Sequence, residues 1–168
     1  GMAARAIRLD EANFVMAGGM ESMSNAPHVL HELRWGARMG DATLVDVMTH
    51  DGLFCAFDHC TMGESSDHKN ARLGITRAEQ DEWSAMSHER ALAASESGRF
   101  ADEIVAVPVP QRKGDPVVID TDEGIRPGTT AESLGRLRPA FIADGTITAG
   151  NASQISDGGA AVMVADRQ

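Results

Sequence analysis

Residues 148–165, T-A-G-N-A-S-Q-I-S-D-G-G-A-A-V-M-V-A, constrain the fold more than any other stretch. Gly150, Ala152 and Ser153 leave almost no side-chain bulk, and Asn151 and Ser153 add compact polar groups. Gly158 and Gly159 then precede a run, residues 160–164, that is apolar without interruption. Glycine permits close approach of backbone or ligand, and a short strand apolar on both faces belongs in the middle of a covered sheet. These residues predict a small-walled polar loop at the edge of a buried strand, where an extended ligand can lie almost on the backbone. A tight turn packed against a helix fits this stretch equally well, because a glycine-rich run without context is weak.

A second stretch, F-V-M-A-G-G-M-E-S-M-S-N-A-P-H at residues 14–28, shows the same strand-into-small-residue pattern. Together A-G-G-M-E-S-M-S-x-A-P-H and T-A-G-N-A-S-Q-I-S-D-G-x-A-A-V resemble the thiolases, in particular the acetyl-CoA acetyltransferases, in order and separation as well as in residues. The resemblance covers essentially the whole chain. It implies an α/β fold with an α+β insertion, a partial thiolase fold in which two core-sheet strands flank an inserted loop domain. Residues 1–24 and 148–168 are then expected to be pieces of the N-terminal thiolase core, and residues 25–147 an inserted loop domain for coenzyme A binding and oligomerisation.

The chain's 168 residues suffice for one ordinary domain, and 42% hydrophobic with 24% charged residues is the balance of a globular protein. No apolar run approaches the roughly 20 residues of a membrane span, and residues 1–10 do not read as a secretory leader. A cytoplasmic, non-membrane protein is expected. The net charge of −10, from 25 acidic and 15 basic residues, speaks against a nucleic-acid or anionic-membrane partner. An anionic ligand must therefore be met by local groups.

Cys55 and Cys60 lack the spacing of a disulfide framework and are expected as reduced thiols. Asp58-His59-Cys60, near His50 and Cys55, has no paired ligand spacing, so no metal site is expected.

Residues 2–9 read as the last turns of a helix feeding the strand at 14–17, an opening that suggests a chain starting inside an element. Trp35-Gly36 between Arg34 and Arg38 is expected at an exposed hairpin tip, and residues 42–49 as a short helix. A helix should run from near Met62 to Leu73, stopped by Gly74. Thr76-Arg-Ala-Glu79 reads as a capping box for a longer helix reaching about Ser97, with Trp83, Met86, Ala91 and Ala94 on its buried face and Gly98 as its stop. Residues 103–109 and 116–120 are strand-like runs joined by the turn Arg112-Lys113-Gly114-Asp115. Thr129-Thr-Ala-Glu132 reads as a second capping box. Arg126, Arg136 and Arg138 gather around it, either to hold a phosphate or to pair with the acidic residues of 120–123.

Thiolases exchange an acyl group between coenzyme A and an enzyme cysteine, with carbon–carbon bond formation or cleavage beside the thioester. Carried over to matching positions, the resemblance implies that Leu53 and Met62 wall the pantetheine arm. It likewise implies that Arg126 and Ser133 meet the nucleotide and phosphates, that Phe141 forms an adenine-side or pantetheine wall, and that Ala149, Ala152, Ser153 and Ile155 line the arm's path. An amide-containing arm needs small walls and its phosphates need a cation, which agrees with this set. Coenzyme A or acyl-CoA is implied as substrate, with no covalently bound cofactor.

One position departs: where familiar acetyl-CoA thiolases carry His before Met-Gly, this chain has Thr61. The acyl preference is then open. The resemblance also implies no catalytic residue here, since the family's nucleophile precedes and its remaining catalytic motifs follow the matched region, and neither Cys55 nor Cys60 corresponds to a catalytic cysteine. The segment around Trp35 matches the family's tetramer contact, so a homo-oligomer is implied. The alternative is a free-standing, non-catalytic coenzyme A-binding or assembly module.

Overall fold

The structure, a computed structural model, describes residues 1–166. In chain order it contains α1 (Met2–Arg8), β1 (Phe14–Glu21), the two-residue strands β2 (His28–Val29) and β3 (Val45–Asp46), and the short pair β4 (Phe54–Cys55) and β5 (Cys60–Thr61). These are followed by α2 (Met62–Leu73), α3 (Arg77–Glu96), β6 (Val107–Val109), β7 (Val117–Ile119), α4 (Ala131–Gly135) and β8 (Gly158–Ala165). The chain divides into two compact units, Gly1–Phe54 with the segment beginning at Ile155, and Cys55–Gln154.

In the first unit β1 and β8 form an antiparallel ribbon running from Phe14 opposite Ala165 to Glu21 opposite Gly158. Its register sets Gly18 against Ala161 and Gly19 against Ala160. A Cβ on Gly18 would stand 2.8 Å from the Ala160 carbonyl oxygen, so glycine is what lets the strands approach here. Helix α1 packs against both strands. Along β1 the half-buried Val15 and Ala17 alternate with the exposed Phe14 and Met16, so one face is covered and one open.

The first motif and the C-terminal part of the second, from Ile155 on, meet in this unit. Asp157, at the entrance to β8, accepts the Ser24 amide at 2.8 Å and the Ser22 hydroxyl at 3.1 Å. The Ser24 amide is the chief reason its carboxyl is held below the ordinary aspartate range.

Trp35 ends a 3₁₀ turn, His31–Trp35, that closes on Gly36 (φ 78°) within the connection between the antiparallel β2 and β3, and it is 85% exposed, as expected for a hairpin tip. One expectation for this unit is corrected. Residues 42–49 do not form one helix: β3 takes Val45 and Asp46 to pair with β2, and a π-helical turn follows over Met48–Leu53.

The second unit follows its local signals closely. Thr61 caps α2, Gly74 ends it at φ 70°, and the Thr76–Glu79 capping box opens α3 in both directions. Gly114, at φ 87°, turns β6 into antiparallel β7. Two details differ. Trp83 is 68% exposed rather than on the buried face of α3. The cap of α4 is the Thr130–Ser133 pair rather than Thr129–Glu132, because Thr129 gives its hydroxyl to the Arg126 carbonyl and Glu132 pairs with Arg136.

Candidate functional site

In the second unit, the segment 139–153 is drawn together by a bridge between Pro139 and Thr148 and a bond from the Ala140 amide to the Ile147 carbonyl. This excursion carries Phe141 onto the first turn of α2. Gly63 has no Cβ, and any Cβ there would overlap the Phe141 ring, so Met62-Gly63 and Phe141 adjoin by virtue of that glycine. The small-residue loop after Thr148 is treated in the same way: a Cβ on Gly150 would stand 2.5 Å from Leu134 and 2.6 Å from Leu137, next to α4.

Buried polar groups lock this loop from below. Asp67 of α2, 3% exposed, accepts the amides of Thr146 at 2.7 Å and Ile147 at 3.0 Å. Asp81 of α3, 2% exposed, takes Arg77 Nε at 2.7 Å on one oxygen and Asn151 Nδ2 at 2.9 Å on the other. Asn151 in turn accepts the Thr148 amide at 2.7 Å and donates to the Thr146 carbonyl at 3.1 Å. Gln80 adds a bond to the Thr146 hydroxyl, and Arg77 reaches the Leu134 and Leu137 carbonyls. These contacts tie α2 and α3 to the loop and to α4 and brace the loop on itself, so the loop is preorganised before any ligand arrives.

Sequence reasoning missed Asp67, Arg77, Gln80 and Asp81. The Arg77–Asp81 spacing of i,i+4 was a visible signal; the partners across 70 and 79 residues were not.

The expected contact residues are placed as follows. Ala149, Ala152 and Ser153 lie on the locked loop, Met62 and Phe141 flank Gly63, and Ser133 is in the α4 cap, where its hydroxyl donates to the Thr130 carbonyl at 2.8 Å. Leu53 and Ile155 belong to the first unit, the former half-buried and the latter exposed. Arg126 is exposed, and among the described residues its guanidinium has no hydrogen-bond or ion-pair partner; the carboxylates of 120–123 do not pair with it, and Asp122 instead accepts the Gly124 amide. The three-arginine cluster is therefore reduced, since Arg136 is engaged by Glu132. A hollow of about 240 Å³ lined by Ile75, Glu79, Gln80, Trp83, Ser84 and Asn151 borders the loop but contains none of the expected contacts.

Cys55 and Cys60 are free and half-buried. Burial, and then Glu64 and Asp58, push the Cys60 thiol up, the reverse of what an activated nucleophile needs. Among the described residues no three His, Cys, Asp or Glu side chains gather to hold a metal, and no helix is long and apolar enough to cross a membrane.

The family described as "Thiolase, N-terminal domain" matches residues 1–168. The chain belongs to the thiolase family. It is 55% identical over 166 residues to a probable acetyl-CoA acetyltransferase of Mycolicibacterium smegmatis, covering 99% of this chain and 43% of that protein. An acetyl-CoA acetyltransferase of Thiocystis violacea is 55% identical over 163 residues, 97% of this chain and 41% of its own length. Among solved structures, an acetyl-CoA acetyltransferase from Syntrophomonas wolfei superposes with a TM-score of 0.89 at 37% identity, covering 99% of this chain and 41% of that one. The Bacillus anthracis enzyme gives 0.86 at 42% identity, covering 96% of this chain and 40% of its own. The thiolase chain described here thus spans about two-fifths of the length of the relatives it matches.

Proposed function

We propose that this chain is the loop-bearing part of an acetyl-CoA acetyltransferase, an acyltransferase that moves acyl groups between coenzyme A and an enzyme cysteine. The observation that carries this reading is 55% identity along 99% of the chain to a relative bearing that name. On this reading residues 25–147 are the insertion that supplies coenzyme A and subunit contacts, between two pieces of core at 1–24 and 148–168. Leu53, Met62 and Phe141 wall the ligand, Ala149, Ala152, Ser153 and Ile155 let the pantetheine arm lie along the backbone, and Arg126 with Ser133 meets the phosphates. No residue of this chain makes or breaks the reacting bonds; its task is to bind and orient the acyl carrier. A rigid, small-walled loop suits that task because its ordering cost is met by Asp67, Asp81 and Asn151 before binding.

The test is calorimetry with coenzyme A on the full-length protein and its Arg126→Ala variant, beside an assay of acetoacetyl-CoA cleavage. A charge-assisted phosphate contact contributes about 1 to 3 kcal/mol, so the variant should bind about 5- to 150-fold more weakly. Equal affinity, or a full-length protein that does not cleave acetoacetyl-CoA, would sink the reading. The exposed Trp35 and Arg38 are proposed as a subunit contact of a homo-tetramer. Trp35→Ser with Arg38→Glu should lower the sedimenting mass, and an unchanged mass removes that contact.

A further inference from the structure

Helix α3 presents one line of polar side chains, Arg77, Asp81 and His88, at spacings that keep them on one side of a helix. The first two hold α4 and the small-residue loop, through the Leu134 and Leu137 carbonyls and through Asn151. The third holds another loop. His88 Nδ1 accepts the backbone amide of Arg126 at 3.2 Å. Because Nδ1 is the acceptor, the neutral ring carries its proton on Nε2.

The arginine's peptide is thus gripped at both ends. Its amide is taken by α3, and its carbonyl accepts the Thr129 hydroxyl at 2.8 Å across a turn that Gly128, at φ 76°, makes possible. Upstream, Gln154 donates to the Gly124 carbonyl at 3.2 Å, and Asp122 accepts the Gly124 amide at 2.9 Å. All this bonding secures the main chain and leaves the guanidinium without a partner among the described residues. A cation whose backbone is fixed and whose side chain is unengaged is arranged for something that approaches from outside.

We propose that His88 is a positioning residue for Arg126: by accepting the Arg126 amide it holds the guanidinium where it meets a phosphate of coenzyme A. The proposal rests on the reading of Arg126 as a phosphate contact. His88 itself touches no ligand and acts only through the main chain of residue 126. An acceptor at that position is what matters.

The experiment is calorimetry with coenzyme A on the full-length protein, comparing wild type with Arg126→Ala, His88→Leu, His88→Phe, His88→Gln and the double variant Arg126→Ala/His88→Leu. Circular dichroism and Tm accompany each, so that a variant that fails to fold is recognised and the other acceptor-free substitution replaces it. Losing one neutral hydrogen bond that orders a binding group should weaken affinity about 3- to 10-fold in His88→Leu or His88→Phe. His88→Gln, which offers an acceptor oxygen, should bind like wild type, and the double variant should bind no more weakly than Arg126→Ala alone. Wild-type affinity in the acceptor-free variants, a glutamine variant as weak as leucine, or additive losses in the double variant would each overturn the proposal while leaving Arg126 in place. Wild-type affinity in Arg126→Ala would overturn the reading of Arg126 and the role of His88 with it.

Discussion

The loop at residues 146–152 and the β1–β8 ribbon are both rich in small residues, yet they are held in opposite ways. The loop hangs on side chains: buried Asp67 and Asp81 and half-buried Asn151 hold its polar groups, and Thr148 within it is 0% exposed. The ribbon is held by main-chain pairing over eight residue pairs with α1 on one side, and it leaves Met16 72% and Met163 62% exposed. Two aspartates, Asp67 and Asp81, are thus buried beneath the loop, while methionines of the ribbon stand exposed. Asp81 meets donors on both oxygens, whereas Asp67 meets them on Oδ1 and its buried Oδ2 has no partner among the described residues.

The strongest test of the contrast is Asp81→Ala. It leaves Arg77 and the Asn151 amide without their shared partner, and breaking a buried pair from one side costs about 3 to 5 kcal/mol. Denaturant unfolding should show that loss; a cost below about 1 kcal/mol would mean that the loop is held by something else.

On the ribbon, Gly18→Val forces a Cβ to 2.8 Å from the Ala160 carbonyl, a main-chain atom that cannot swing aside. The expected cost is about 1 to 3 kcal/mol, and an unchanged midpoint would show that the strands can separate freely.

Met163→Thr asks whether the ribbon's open face is open in solution. In the 168-residue chain it should change stability by less than about 0.5 kcal/mol, whereas a loss of about 2 kcal/mol or more, the usual cost of truncating a buried methionine, means that the face is covered.

The smallest effect concerns the tie between β8 and the turn after β1. Because the Ser24 amide lowers the Asp157 carboxyl, its contribution is present above the unfolded value of about 4 and is lost as pH falls through the lowered folded value. Asp157→Asn should therefore flatten the acid limb of the stability profile and leave it unchanged in slope near neutrality. An identical acid limb in both proteins would count against the tie.

Much of the architecture was legible along the chain. The helices α2 and α3, their stops at Gly74 and Gly98, the Gly114 turn and the apolar ends of the ribbon all follow from signals spanning a few residues. The site was legible only as a set of residues carried by a resemblance. What grips them was not, because Asp67, Asp81 and His88 read in sequence as ordinary polar positions on helices.

Sequence by itself thus determined the family and the local elements, since caps, left-handed glycines and small-residue motifs act within a turn or two of the chain. Tertiary structure alone decided that Thr130 rather than Thr129 caps α4, that Trp83 faces outward, and that the loop at 146–152 is bonded to two buried aspartates. The physical reason is that a buried charge is tolerated only where its donors converge, and here the Asn151 donor to Asp81 arrives from 70 residues away.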